Sequence, residues 1–163
     1  MSNSNTGIRC LLLPTRGGQL LLPSAVVAEV SSYQPPQSIS ETQPNWLLGL
    51  INWREQRVPM LSIEEALSLS ATAVSTAQRS RTIILYGLES NQTLPFYALI
   101  AIDVPRPVTI TEENITHPNV DARRGLVFNI KINHQENAWL PDLSYLENLL
   151  RQFKMHQDSK PST

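Results

Sequence analysis

Residues 45–61 read NWLLGLINWREQRVPML and carry the clearest strand pattern in the chain. We predict a turn at Gly49, a strand over residues 50–54, a tight reversal at residues 55–56 and a second strand over residues 57–61. Because proline donates no hydrogen bond to a neighbouring strand, we expect Pro59 at a sheet edge or at a bulge. The stretch therefore predicts an antiparallel β-hairpin.

Short apolar runs of strand length continue on both sides of this hairpin. A polar loop with three prolines, residues 31–44, precedes it, and Gly17-Gly18 is a hairpin signal farther upstream. Turn signals recur about every ten residues, which is typical of a sandwich or a barrel. The predicted fold class is all-β, with further strands at residues 9–14, 19–23, 25–30, 82–88, 96–104, 108–110, 125–132 and 138–140.

Two helix starts interrupt the strand pattern. Ser62 and Glu65 fit a capping box before a short helix that ends near Leu69. Asp142 is a suitable N-cap for a closing helix. That helix has one apolar face at helical spacing, formed by Leu143, Leu146, Leu149, Leu150 and Phe153.

The predicted organisation is one domain over residues 8–154. We expect a disordered N-terminus at residues 1–7 and a polar tail at residues 155–163. Residues 70–81 are small and polar, and we predict a variable loop there that divides the domain into two halves.

The composition is that of a globular protein, with 41% apolar and 17% charged residues in a chain of 163. The net charge of −1 gives no basic footprint for nucleic acid. Cys10 is the single cysteine, which excludes an internal disulfide and fits a reducing compartment. No long apolar run is present, so we expect a cytoplasmic protein without direct membrane insertion.

The sequence contains no set of residues with catalytic, metal-binding or cofactor-binding spacing. Glu64 and Glu65 are interpreted as the solvated first turn of a helix, and Asp103 as a partner of a neighbouring turn or of Arg106. We therefore predict a protein that is not an enzyme and holds no cofactor or metal. The three histidines are too far apart to form a site: His117, His134 and His156.

Trp53 and Arg54 are adjacent on a predicted strand, so we expect them to face opposite sides of the sheet. Two interpretations fit equally well: a core tryptophan beside an ordinary surface arginine, or an interface role. Arginine is enriched at protein interfaces because its planar fork pairs with carboxylates while its stem packs.

A series of motifs resembles the CheW-like chemotaxis adaptor family. Residues 27–30 are similar to its V-x-E-V strand, and residues 46–61 are similar to a Gly followed by V-I-N-L-R-G-x-I-x-P-V-I-D-L. Farther along, residues 98–104 resemble L-x-V-D-x-V and residues 139–143 resemble the terminal I-L-D-L. The resemblance runs from about residue 8 to residue 150 and keeps the order of the motifs.

Two positions depart from the family pattern. The glycine after the arginine is Glu55 here, and if that turn requires a positive φ, glutamate costs about 1 kcal/mol more than glycine. The acidic residue of V-I-D-L is replaced at Ser62. Such drift indicates an outlying branch, and the overall pattern resembles the ChpC-type adaptors of the system that controls type IV pilus twitching motility.

The resemblance implies two small five-stranded β-barrel subdomains with a core between them, and no catalysis. One surface would bind the regulatory domain of a CheA-type histidine kinase, and an apolar groove between the barrels would bind the cytoplasmic tip of a chemoreceptor. Arg54, at the N-x-R position, is carried over as an interface residue and Gly49 as the turn that sets the strand. The other expected interface residues are Val58, Pro59, Val30 and Ile39.

Two other functions remain compatible with the sequence. One is a free-standing β-barrel interaction module without a kinase partner, which co-purification with a kinase or receptor would distinguish from an adaptor. The other is a ligand-binding barrel or a hydrolase, which would need an enclosed pocket with converging polar groups, for example around Asp103.

Overall fold

The computed structural model describes residues 7–69, 79–88, 94–116, 126–132 and 136–158. The remaining parts of the predicted N-terminus, variable loop and tail, residues 1–6, 70–78 and 159–163, lie outside the described residues.

The described residues are mostly β-structure, with two α-helices, α1 (Ile63–Ala66) and α2 (Leu143–Asp158). The strands in chain order are β1 (Ile8–Thr15), β2 (Gly18–Pro23), β3 (Val27–Ser32), β4 (Leu47–Trp53), β5 (Gln56–Leu61), β6 (Arg81–Tyr86), β7 (Phe96–Ala101), β8 (Arg106–Ile110), β9 (Ile115–Thr116), β10 (Leu126–Ile132) and β11 (Glu136–Pro141).

Two mixed sheets contain these strands. One has six strands in the order β8-β1-β2-β11-β10-β9, and the other has five in the order β3-β6-β7-β5-β4. Each sheet has one parallel pair, β2 with β11 and β5 with β7. The mostly β fold is confirmed. The strands that flank the loop predicted at residues 70–81, β5 and β6, lie in the same sheet.

Instead of the predicted pair of five-stranded barrels, the described residues form two open sheets, one of six strands and one of five. In the described part of the chain no ladder joins β3 to β4, and the loop after β3 lies along the free edge of β4 instead. Gln37 and Leu50 exchange two backbone hydrogen bonds of 2.9 Å. The Gln34 side-chain amide, oriented to satisfy both of its ends, donates to Asn52 O at 2.9 Å and accepts from Asn52 N at 3.2 Å. The loop thus protects an edge that would otherwise expose unpaired backbone groups.

Three apolar cores explain the continuous apolar runs in the sequence. One lies between the sheets, and each sheet encloses a smaller core on its other face. Neighbouring residues alternate between these cores because side chains of a strand point to opposite faces. On β1, Leu13 packs between the sheets and Leu12 in the core of its own sheet; Ile83 and Ile84 divide in the same way on β6. A strand buried on both faces needs apolar residues at every position.

The two helices start at their predicted caps but differ in length from the prediction. Ser62 Oγ accepts a hydrogen bond of 3.3 Å from Glu65 N, and α1 ends at Ala66. Helix α2 continues to Asp158, beyond the predicted start of the tail. Leu146 and Leu150 on its apolar face are buried in the core between the sheets.

The hairpin of β4 and β5 differs in detail from its prediction. Gly49 is not a turn but lies within β4, at a register shift between Leu47 and Gly49. Pro59 lies in an interior strand and not at a sheet edge. It is tolerated there because its partner Leu50 bonds to Gln37 on the opposite side, and the parallel ladder with β7 begins only at Met60.

Gly49 is required by a close backbone approach. Its φ is +142°, and a Cβ atom built on it would lie 2.2 Å from the carbonyl oxygen of Gln37. A side chain at this position would therefore push the loop away from β4, in addition to straining the backbone.

We expect Gly49→Ala to lower the free energy of unfolding by about 2–4 kcal/mol, because the backbone of Gln37 cannot move without losing its hydrogen bonds to Leu50. Gly18→Ala is the matched control, since Gly18 has a φ of +119° but a Cβ there would meet only the Trp139 ring, at 3.8 Å. Urea unfolding of both variants measures the difference. Equal losses would show that the close approach to Gln37 contributes nothing.

Candidate functional site

An apolar groove of about 310 Å³ opens beside the core between the sheets. Its polar rim is formed by Gln56 and Arg57. The Arg57 guanidinium donates to Gln37 Oε1 at 3.3 Å, which holds this rim against the loop that follows β3. The apolar lining consists of Ile39, Leu47, Leu50, Val58, Pro59, Leu94, Pro95, Phe96, Leu150 and Phe153.

Three segments form the walls of the groove, and Ile39 from the loop after β3 completes its lining. The first wall is the β4–β5 hairpin, the second is the segment Leu94–Phe96 that leads into β7, and the third is α2 through Leu150 and Phe153. Phe153 packs edge-on against Trp46, with ring centroids 6.4 Å apart. The helical spacing that predicted an apolar face on α2 thus also places two side chains in the groove.

Three of the predicted interface residues line this groove: Ile39, Val58 and Pro59. Gly49 lies outside it and acts through the backbone, by allowing the approach of the loop at Gln37. Val30 is 40% exposed on β3 and is not among the lining residues. Arg54 also lies outside the groove.

Arg54 belongs to a cluster at the tip of the β4–β5 hairpin. Its guanidinium donates to Glu29 Oε1 at 3.2 Å and lies 4.7 Å from the centroid of the Trp53 ring. The Trp53 indole N–H donates to the other oxygen, Glu29 Oε2, at 3.1 Å. Glu29 therefore fixes both side chains, while 68% of the Arg54 side chain stays exposed. The arrangement can present a cation to a carboxylate of another protein.

The expectation that Trp53 and Arg54 face opposite sides of a strand is wrong. Trp53 is the last residue of β4 and is 9% exposed, in the core of the five-stranded sheet. Arg54 and Glu55 form a two-residue reversal with φ values of 46° and 64°, so the alternation of a strand no longer applies. The guanidinium consequently folds back over the indole.

Glu29 was missed as a site residue by the sequence analysis. The sequence feature that could have identified it is a carboxylate in the middle of a strand rich in valine, where acidic residues are uncommon. Its partners lie more than twenty positions away, at a hairpin tip that the sequence placed one residue too late.

Both residues of the reversal adopt a conformation that favours glycine or asparagine. Glu55→Gly should therefore raise the free energy of unfolding by about 0.5–1 kcal/mol, because glycine adopts a positive φ without strain. Glu55→Ala is the control that removes the carboxylate but keeps the strain. Thermal or urea unfolding that shows no gain for glycine over alanine would contradict the expected strain.

Among the described residues, no group of histidine, cysteine, aspartate and glutamate side chains could hold a metal ion. Of the two roles expected for Asp103, the structure shows a bond to the neighbouring turn and not the pair with Arg106. Asp103 accepts from Arg79 at 3.1 Å and from Val104 N at 2.7 Å, whereas Arg106 pairs with Glu136. His117 and His134 lie outside the described residues.

No described helix has the length and apolar character needed to cross a membrane.

Comparison with known proteins gives a consistent result. A family model described as the CheW-like domain matches residues 9–146. Among solved structures, the crystal structure of the scaffolding protein TtCheW from Thermoanaerobacter tengcongensis superposes with a TM-score of 0.68 at 20% sequence identity. The superposition covers 84% of this chain and 85% of that one. No curated protein sequence matches.

Proposed function

This chain belongs to the CheW-like domain family, and we propose that it is a cytoplasmic adaptor that couples a chemoreceptor to a CheA-type histidine kinase without catalysing a reaction. The observation that carries the proposal is the apolar groove with a polar rim, placed beside the core of a two-sheet scaffold.

The groove fits an amphipathic helix. Its lining is almost entirely apolar, and its volume of about 310 Å³, at the lower end of the range for ligand pockets, accommodates a few side chains. A helix places apolar residues on one face at positions i, i+3 or i+4 and i+7, and this stripe can enter such a groove. We assign the groove to the helical cytoplasmic tip of the receptor.

The second docking surface is the tip of the β4–β5 hairpin, where Arg54 is exposed and held by Glu29. The guanidinium uses one nitrogen for Glu29, so further donors can reach a carboxylate of the partner. We assign this surface to the regulatory domain of the kinase. Two surfaces on one scaffold allow coupling, because a difference in affinity for receptor states can bias the kinase equilibrium.

The output that we propose is type IV pilus twitching motility. The support is the resemblance of the sequence pattern to ChpC-type adaptors, and a deletion strain scored for twitching and for swimming tests it. Loss of swimming with normal twitching would contradict this assignment while leaving the adaptor role intact.

Arg54→Glu should weaken binding to the purified kinase regulatory domain at least tenfold, because it places a negative charge where a partner carboxylate is expected. Arg106→Glu is the matched control, since Arg106 forms a comparable exposed ion pair with Glu136 on the other sheet. Calorimetric titration of the folded variants measures the effect. Full affinity of Arg54→Glu would remove Arg54 from the interface, and no binding by the natural protein would favour a free-standing module.

Leu50→Glu should weaken binding to a soluble receptor fragment at least tenfold, because the groove would then have to bury an unpaired charge. The control is Ile8→Glu, which makes the same change at a residue that is 62% exposed and outside the groove. Both variants are compared by surface plasmon resonance after circular dichroism has verified their fold. Equal affinity for the two variants would place the receptor site elsewhere.

A further inference from the structure

Glu147 on α2 is a buried carboxylate next to the apolar core between the sheets. It is 1% exposed and lies between Leu146 and Leu150, which belong to the core between the sheets. Both of its oxygens lie 3.0 Å from the backbone N–H of Leu88. Burying a carboxylate is costly even when it accepts hydrogen bonds, and an apolar residue would fill the same space at lower cost. We therefore expect Glu147 to have a role other than filling space in the core.

Tyr97 lies close enough to this carboxylate to be affected by its charge. The Tyr97 side chain is completely buried. Burial, and secondarily the negative charge of Glu147, raise the pKa of Tyr97 above its ordinary range. A charge in such a poorly solvated place also strengthens the hydrogen bonds that it accepts.

Leu88 connects Glu147 to one wall of the groove. It follows Gly87, whose N–H donates to Pro95 O at 2.8 Å. Gly87 is packed so tightly that a Cβ there would lie 1.8 Å from the carbonyl oxygen of Leu94. Residues 87–88 and the wall formed by Leu94–Phe96 are thus held as one unit.

Helix α2 connects Glu147 to the opposite wall. Leu150 is three residues farther along the helix and lies on the same face as Glu147, and Phe153 follows one turn later. Both side chains line the groove. The hydrogen bond that Leu88 N–H donates to Glu147 therefore links the α2 wall to the Leu94–Phe96 wall.

We propose that Glu147 is a positioning residue that sets the spacing of these two walls and thereby determines which partner helix the groove accepts. The proposal rests on the groove being the receptor site. Glu147 touches no partner. It acts by holding Leu88, so that Leu94 and Phe96 keep their distance from Leu150 and Phe153.

Three variants test this role in the full chain. Glu147→Leu removes the acceptor and keeps the volume, Glu147→Gln keeps a carbonyl oxygen that accepts from Leu88 N, and Glu147→Asp keeps the charge but shortens its reach. Glu112→Gln removes one negative charge at an exposed residue and serves as the control. Each variant is titrated with the soluble receptor fragment and with the kinase regulatory domain, and amide hydrogen exchange is followed at Leu88 and Phe96.

The expected result is a selective loss. Glu147→Leu and Glu147→Asp should bind the receptor fragment at least tenfold more weakly and the kinase domain within twofold of the natural protein, and the Leu88 and Phe96 amides should exchange faster. Glu147→Gln should stay within threefold for both partners, so a folded variant remains for comparison if the leucine variant does not fold.

Two results would overturn the positioning role. One is unchanged receptor affinity in Glu147→Leu despite faster exchange at Leu88, and the other is an equal loss for both partners, which indicates a general structural defect. If the natural protein binds no receptor fragment, the proposed function fails. The exchange data then decide whether Glu147 holds the Leu94–Phe96 wall, and unchanged exchange at Phe96 would refute it.

Discussion

Strands β1, β2, β6 and β7 are buried on both faces, because each sheet packs against the other sheet and also encloses a small core of its own. Full burial of a leucine or isoleucine side chain stabilises a protein by about 1.5–3 kcal/mol, and the core between the sheets contains many of them. Close packing on both faces specifies the register of the strands, since a slip by one residue would move side chains of different size and shape from one core into the other. The remaining features depend on the rigid scaffold that results.

The candidate site lies where this scaffold reaches the surface. Leu47, Leu94 and Leu150 belong both to the core between the sheets and to the lining of the groove, so the groove is a continuation of that core. The hairpin tip with Arg54 is anchored in a second core through Trp53. Each candidate surface is therefore supported by buried residues, which hold its side chains in a fixed geometry.

The sequence predicted those parts of the fold that depend on local pattern. Apolar runs located most of the strands, Ser62 and Asp142 located the helix starts, and the spacing on α2 predicted the face that packs. The sequence could not predict contacts between distant segments. Nothing local to Gly49 shows that Gln37 approaches it, and nothing local to Arg54 shows that Glu29 holds it. Ile39, Val58 and Pro59, which the family resemblance implied as interface residues, line the groove, whereas the α2 wall and Glu147 could be found only from the tertiary structure.

The strands of the five-stranded sheet, β3 to β7, are consecutive in the chain. The six-stranded sheet is built from the strands before and after them, with Leu20 on β2 beside Trp139 on β11. During synthesis on the ribosome, β3 to β7 are all available long before β11 emerges. Contacts between residues that are distant in the sequence form slowly. We therefore expect the five-stranded sheet to form first, and the β1–β2 hairpin to pair with β8 and β11 only later. The groove, which needs α2 as its third wall, would then be completed only when the last helix has docked.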